Sequence, residues 1–372
     1  MQPNSDLTVD RRGLSGWNTP ERRRASFHNL HNIHRRGLIF RAPASLDLVL
    51  EQNSAFARLP CLTQLLKEPS FCALVIVQDR RIVFEHQAAD FATDKFHSIQ
   101  SITKTFVHLA LGALIESGMV DASRTIGYYV PEAGHAYANA SVQQALDMNI
   151  ATNFKEDYST PYSPAAELGA PTSYSRQEIA MGWRLPPVGE EEFGVRTFAA
   201  GLVTAGQCDD RVSRYTSPNT DMLGWVIERA SGHSLAAHVA AIVAKAGLES
   251  ALQISADCEG VPVLSGGGIM TARDLARYGL FLARHHGSFL ADTMSGAGTI
   301  YGGSPHLRYR NHLLSNGTWV GHPGYAGQFL MVDPAKNAVA AFFSVLETEY
   351  GDRDGYFAEI ISVLETALLR LK

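Results

Sequence analysis

The sequence predicts an α/β fold: an antiparallel sheet flanked by helices, built from both ends of the chain, with a mostly helical domain inserted between them. Three observations carry this expectation. Short apolar runs rich in β-branched residues lie near the start, at Cys72 to Gln78 and Arg81 to Gln87. A second pair, Gln328 to Val332 and Ala338 to Leu346, returns near the end. From about Pro131 to Leu248 helical patterns and long polar connections dominate. The expected division is an α/β domain from residues 1–130 and 255–372, an inserted helical domain over 131–254, and a site between them.

Taken in order, the first forty residues hold Arg11, Arg12, Arg22, Arg23, Arg24, Arg35 and Arg36. Asp6, Asp10 and Glu21 interrupt the charge, and Trp17 and Phe27 suggest a solvated or docked arm, not a nucleic-acid tail. His28, His31 and His34 recur every third residue, but no further ligand is evident nearby, so no metal site is expected. Asp79-Arg80 joins the first two strands as a hairpin. Ser101 to Ser117 reads as a helix stopped by Gly118, with Ile102, Phe106, Leu109, Ala110, Ala113 and Leu114 as its buried stripe. Asn219 to Ala230 is a helix with Met222, Leu223, Val226 and Ile227 inward. Thr271 to Asp274 reads as a capping box opening a helix to about His285. The turn Asp333 to Asn337 closes the second hairpin, and Tyr356 to Leu369 is an amphipathic helix.

Composition limits the function classes. The 372 residues are 45% hydrophobic and 19% charged, an ordinary globular balance. Lys and Arg number 32 against 37 Asp and Glu, a net charge of −5, so no global basic field attracts nucleic acid or anionic lipid. Cys61, Cys72, Cys208 and Cys258 are scattered without a CxxC and are expected as buried thiols. The first residues lack an apolar leader core and no run of about 18 apolar residues occurs, so a cytoplasmic, membrane-free protein is expected.

GxSxG, HExxH and phosphate-loop patterns are absent, and one Ser-x-x-Lys is present, Ser101-Ile102-Thr103-Lys104. On a helix the two side chains share one face, the serine lies at the positive end of the dipole, and a desolvated lysine is a base for its hydroxyl. With 28 serines and 7 lysines in the chain, chance supplies about half such a match. Context strengthens it: Ser101 follows a polar stretch and opens an otherwise apolar helix, and Lys104, between Thr103 and Thr105, lies close to the buried stripe. Tyr215, in Tyr215-Thr216-Ser217 before the Asn219 helix, is a proton relay if it meets the lysine and otherwise a packed aromatic. Gly321-His322-Pro323-Gly324-Tyr325 leads into the late strands, where a glycine admits substrate to the backbone and the next amide faces an oxyanion; its plain reading is a turn.

Together and in this order, the three elements resemble the serine β-lactamase and penicillin-binding-protein superfamily. The resemblance is to its class C-like branch with the 6-aminohexanoate-dimer (nylon-oligomer) hydrolases and family VIII carboxylesterases. It runs from about Phe27 to the C-terminus. It is carried by SIQSITKTF, by LDM near Leu146 with Glu156-Asp157-Tyr158, by TSPNTDMLGWVIERASG, GGGIMTARDLARYG and GYAGQFLMVDP. The resemblance implies a β-lactamase/DD-peptidase-like fold, with Ser101 as nucleophile, Lys104 as its base partner and Tyr215 as third catalytic group. The backbone amides of Ser101 and Tyr325 would form the oxyanion hole. Tyr158 would close on the substrate amide, and Ser217, Ser265, His322 and Gly324 would contact substrate. Two departures matter. Tyr-x-Ser replaces the Tyr-x-Asn of class C β-lactamases, and His322-Pro323-Gly324 replaces Lys-Thr-Gly, losing the cation for a substrate carboxylate. Ser265 stands where the nylon-oligomer enzymes have an asparagine, and extra residues fall between Ala166 and Trp183.

The expected function is a serine hydrolase cleaving a small linear amide through an acyl-enzyme, with no metal or organic cofactor. A carboxylesterase on short-chain esters is the alternative within enzymes, and a non-catalytic sensor of the same superfamily the alternative outside them. Which of Lys104 and Tyr215 is the base stays open at this level, as does assembly into a homo-oligomer.

Overall fold

The computed structural model describes residues 16–371 apart from 157, 159–172, 207, 208, 210 and 286. Arg11, Arg12, Cys208, Asp157 and the extra residues up to 172 therefore lie outside the described residues.

Both predicted hairpins form. Phe71–Gln78 pairs antiparallel with Arg81–Gln87, and Gln328–Asp333 with Ala338–Ser344. Ala338–Ser344 also pairs with Phe71–Gln78, so strands from the two ends of the chain lie side by side at the sheet centre. Every residue of Ala338–Ser344 is buried, which suits its unbroken apolar run. Across the nine-stranded sheet the order is Val49–Leu50, Arg81–Gln87, Phe71–Gln78, Ala338–Ser344, Gln328–Asp333, Val320–Gly324, Leu313–Ser315, Ser304–Arg310 and Thr299–Tyr301. One pair, Val49–Leu50 with Arg81–Gln87, is parallel.

The sheet is covered on both faces. Gly279 of the helix Ala272–Arg284 lies so close that an added Cβ would sit 2.5 Å from Val339, and Leu330 lies on that same face. The other face carries the pair Phe329 and Phe342. There Tyr356 of the helix Tyr356–Leu368 donates to Ser344 Oγ at 3.0 Å, and Trp319 Nε1 donates to Glu365 at 2.6 Å. Thr271 caps its helix by accepting from the Asp274 amide, but the expected capping box is only half made. The Asp274 carboxylate instead accepts from the amides of Glu249 and Ser250.

The expectation of one sheet needs correction. A second, four-stranded sheet orders Gly37–Phe40, Leu252–Ser255, Gly268–Met270 and His97–Ser98. It delivers the chain into the next helical run, Gln100–Lys104 followed by Thr105–Glu116. That run is apolar nearly all round and buried to match, with Ala113 an exception on the solvent side. Gly118 ends it at φ 76°. Described residues between 131 and 251 contribute no strand to either sheet and include the helices Val142–Leu146, Tyr174–Ala180, Val195–Ala200, Pro218–Ser231 and Leu235–Ala246.

Arg23, Arg24, Arg35 and Arg36 of the N-terminal arm are docked, while Arg22 is exposed. Arg23 is buried and donates to the carbonyls of Leu346 at 2.8 Å and Thr348 at 2.6 Å. Arg24 pairs with Asp90, and Arg35 and Arg36 pair with Glu192. Trp17 and Phe27 are buried in the core. Of the cysteines, Cys72 is buried as expected, Cys61 is exposed and Cys258 is half-buried, and all three are free thiols. No helix among the described residues is long and apolar enough to cross a membrane.

Candidate active site

Ser101 owes its place to a tethered turn. Ile99 donates its amide to Gly268 O at 2.9 Å, and the Gly268 amide donates to Thr103 Oγ1 at 3.0 Å. Between these ties Gln100 is held at φ 46°, left-handed backbone that a non-glycine residue adopts only under constraint, and its side chain donates to Ser98 Oγ at 2.7 Å. Ser101 and Lys104 lie in a 3₁₀ turn, Gln100–Lys104, where an α-helix was expected. In a 3₁₀ turn residues three apart eclipse. Lys104 Nζ accordingly lies 3.0 Å from Ser101 Oγ.

Lys104 is fully buried. Burial pushes its pKa down from 10.5 to about 8, against the opposing pull of Glu156 and Asp221. Its other partners fix which way it faces. Nζ donates to the Ser265 carbonyl, and lies 2.9 Å from Ser217 Oγ. Ser217 Oγ donates its own proton to Glu156 Oε1 at 2.7 Å, so toward Lys104 it accepts. A neutral amine has two N–H bonds and one lone pair. The Ser265 carbonyl and Ser217 Oγ take the two N–H bonds, and the lone pair is left facing Ser101 Oγ.

Glu156 thus sets the lysine's orientation, and sequence reasoning missed it. Its carboxylate also accepts from the Ser217 amide at 2.6 Å and from the Tyr158 hydroxyl. Asp221 was missed too. It stands four residues after Ser217 on the helix Pro218–Ser231 and is buried, with Oδ2 unpartnered among the described residues. Burial pushes its pKa up, with Ser265 and Lys104 opposing. The i, i+4 spacing from Ser217 was a legible signal for Asp221; Glu156 had none beyond its place in a resembling stretch.

Tyr215 is brought to this centre. Lys104 Nζ lies 5.1 Å from its ring centroid, over the face. The hydroxyl lies beside Ser101 and has no formed hydrogen bond among the described residues. Burial, with Tyr309, Glu156 and Tyr301 around it, holds its pKa well above 10. The phenol therefore keeps its proton.

Tyr325 follows the strand Val320–Gly324, which packs against the serine turn. A Cβ on Gly324 would lie 2.7 Å from Ile99 O, so glycine is required for this approach. Ala326, just beyond, has φ 63°. The docked arm braces the segment: Asn18 donates to the Tyr325 hydroxyl at 3.2 Å, and Arg23 lies over its ring at 5.6 Å. Ser101, Tyr158, Tyr215, Tyr301, Gly324 and Tyr325 line a cavity of about 200 Å³, together with Tyr350, Gly351 and Asp352.

Three expected substrate contacts are turned elsewhere. Ser217 is buried between Lys104 and Glu156. The Ser265 side chain is buried, 3.8 Å from Met181 Sδ, and its carbonyl holds Lys104. His322 is buried, donates from Nδ1 to Pro323 O at 2.6 Å and accepts from the Tyr309 hydroxyl at 3.0 Å. Its pKa lies well below 6.5 because of burial and Lys104, so it supplies no cation for a carboxylate.

The comparisons with known proteins agree with this architecture. A 6-aminohexanoate-dimer hydrolase of Paenarthrobacter ureafaciens is 30% identical over 270 residues, covering 72% of this chain and 66% of that protein, just under two thirds of its length. A Bacillus anthracis structure provisionally described as a 6-aminohexanoate-dimer hydrolase superposes over 99% of this chain and 97% of its own, with a TM-score of 0.77 at 20% identity. A D-stereospecific amidohydrolase from a Streptomyces species superposes over 78% of this chain and 92% of its own, with a TM-score of 0.56 at 18% identity. Residues 63–364 match the family described as Beta-lactamase, and with most of its length inside that match the chain belongs to the β-lactamase family.

Proposed function

We propose that the chain is a serine hydrolase that cleaves a small linear amide, of the 6-aminohexanoate-oligomer type or related to it, through an ester on Ser101. The observation that carries this reading is the fully buried Lys104 amine 3.0 Å from Ser101 Oγ. In the proposed sequence the Lys104 lone pair takes the Ser101 proton as Oγ attacks the carbonyl carbon. The amides of Ser101 and Tyr325 receive the oxyanion, where one such donor is typically worth about 3–4 kcal/mol. Tyr215, protonated and aimed at the same place, serves as acid to the leaving nitrogen, a narrower role than base. Water then attacks the ester and gives its proton to the Tyr215 phenolate, while Lys104 returns its proton to the departing Ser101 Oγ, which restores all three groups. Tyr158 donates to Glu156, and its free lone pairs suit a substrate N–H. The same reading assigns residues 1–130 and 255–372 to the α/β domain and 131–254 to the insert. The three free thiols fit a reducing, cytoplasmic setting.

The test is a panel of one matched p-nitrophenyl ester and anilide pair plus a chromogenic cephalosporin, run on the wild type and on Tyr158→Phe. With no cation at His322, the cephalosporin should turn over far more slowly than the ester. Tyr158→Phe should lower kcat/KM for the amide about tenfold more than for the ester, because a phenolate leaves without help. A cephalosporin rate equal to the ester rate, or an unchanged amide-to-ester ratio in the variant, would contradict the substrate assignment.

A further inference from the structure

A second cluster of reactive side chains lies away from the cavity. His28 closes the helix Pro20–His28, Cys72 lies in the strand Phe71–Gln78, and His97 begins the strand His97–Ser98, four residues before Ser101. One ligand atom from each lies within 4.8 Å of the others. His28 Nε2 is 3.5 Å from Cys72 Sγ. Metal bonds of about 2.0 Å to nitrogen and 2.3 Å to sulfur set two ligands of one ion about 3.6 Å apart. The remaining separations close by about 1 Å of side-chain rotation.

His97 supplies an independent observation. Its ring is fully buried, stacked on Phe343 at 4.5 Å and edge-on to Phe91 at 5.4 Å. Nδ1 lies 2.7 Å from the Ser98 carbonyl, and a carbonyl only accepts, so Nδ1 carries the proton. Nε2 is then a bare lone pair, buried and unpartnered among the described residues. A carbonyl that fixes the tautomer while the other nitrogen stays open is how protein histidines are oriented toward metals. An unpaired acceptor there is otherwise costly.

We propose that His28, Cys72 and His97 form a binding site for a thiophilic closed-shell cation, Cu(I) or Zn(II). Two imidazoles and one thiolate are the donors such ions select. On binding, the sulfur–metal bond forms as the Cys72 thiol releases its proton to solvent. With Cu(I) the cation and thiolate are neutral together in a three-coordinate site. With Zn(II) one positive charge remains and a water completes the coordination, beside the Arg24–Asp90 ion pair, whose charges offset one another. His28 is only half-buried and leaves a route in from solvent. Its role is structural: the ion joins the docked arm to the strand that leads into the serine turn. The histidines at 31 and 34, which share a spacing with His28 in sequence, take no part; the His34 Nδ1 donates to Leu30 O at 3.1 Å.

The test uses the full chain, stripped with chelator and titrated separately with Zn(II), with Co(II) as its spectroscopic probe, and with Cu(I) under reductant. Bound metal is measured by elemental analysis after gel filtration. The expected result is about one ion per chain, near-ultraviolet thiolate-to-metal absorption with Cu(I) or Co(II), and a melting temperature raised by about 5 °C. Binding by one of the two metals alone supports the site and names its ion. Cys72→Ser and His28→Ala, each checked for a cooperative melt without metal, should lose the bound ion and the absorption. No bound metal in the wild type, or the same stoichiometry in both variants, would overturn the site, since the other histidines would then be the ligands.

Discussion

Ser101→Ala should abolish hydrolysis of ester and amide substrates alike while leaving the fold intact. The serine is half-buried at the start of the 3₁₀ turn, and no other hydroxyl among those described both lies within hydrogen-bond distance of Lys104 and lines the cavity. Ser217 is the other hydroxyl on Lys104, but its proton is committed to Glu156 and it does not line the cavity. Substitution removes a small side chain without opening a large void, so the thermal melt should move by no more than about 2 °C. Initial rates in the purified variant are the measurement. More than a few per cent of wild-type activity would exclude Ser101 as nucleophile.

Lys104→Met should lower kcat/KM about 10²–10⁴-fold, the usual size of losing a positioned base. Methionine fills nearly the same volume in this buried site, so the loss is read as chemistry once the variant melts cooperatively. The pH profile gives a second readout. The base must be neutral to accept a proton, and burial lowers the lysine pKa from 10.5 to about 8. The wild-type kcat/KM should therefore climb as pH rises through about 8 and level off well below the ordinary lysine value. Below that range the amine is charged, all three of its hydrogens donate, and no lone pair faces Ser101. A profile flat from pH 6 to 10, or a Lys104→Met variant that retains the rising limb, would assign the base to another group.

Much of this site was legible from local patterns. Ser101 and Lys104 stand three residues apart, a spacing that brings two side chains together in either an α or a 3₁₀ turn. The sequence could not separate the two helix types because both satisfy that spacing. The two hairpins announced themselves through β-branched runs and polar turns. The small sheet did not, because Gly37–Phe40, Gly268–Met270 and His97–Ser98 have four, three and two residues, too few for an alternation to be read. Side-chain direction was the larger blind spot. Ser217, Ser265 and His322 are in the region the motifs indicated, yet each is committed to a neighbour instead of the cavity. Glu156 decides the direction of Ser217 from 61 residues away, a relation no local pattern carries. The arm itself reads as solvated or docked, but no local pattern carries its partners: Arg23 donates to the carbonyls of Leu346 and Thr348 and lies over the Tyr325 ring.

The most direct measurement is the site and stoichiometry of covalent modification. The wild-type chain is incubated with a fluorophosphonate, weighed intact, digested and mapped, beside Ser101→Ala and a heat-unfolded control. Acyl transfer through Ser101 predicts one adduct per chain, on the peptide containing Ser101, formed in step with loss of esterase activity. It also predicts no adduct on Ser101→Ala or on unfolded chain. A labelled wild type whose adduct maps to another residue, or an active wild type that takes up no label, would contradict it.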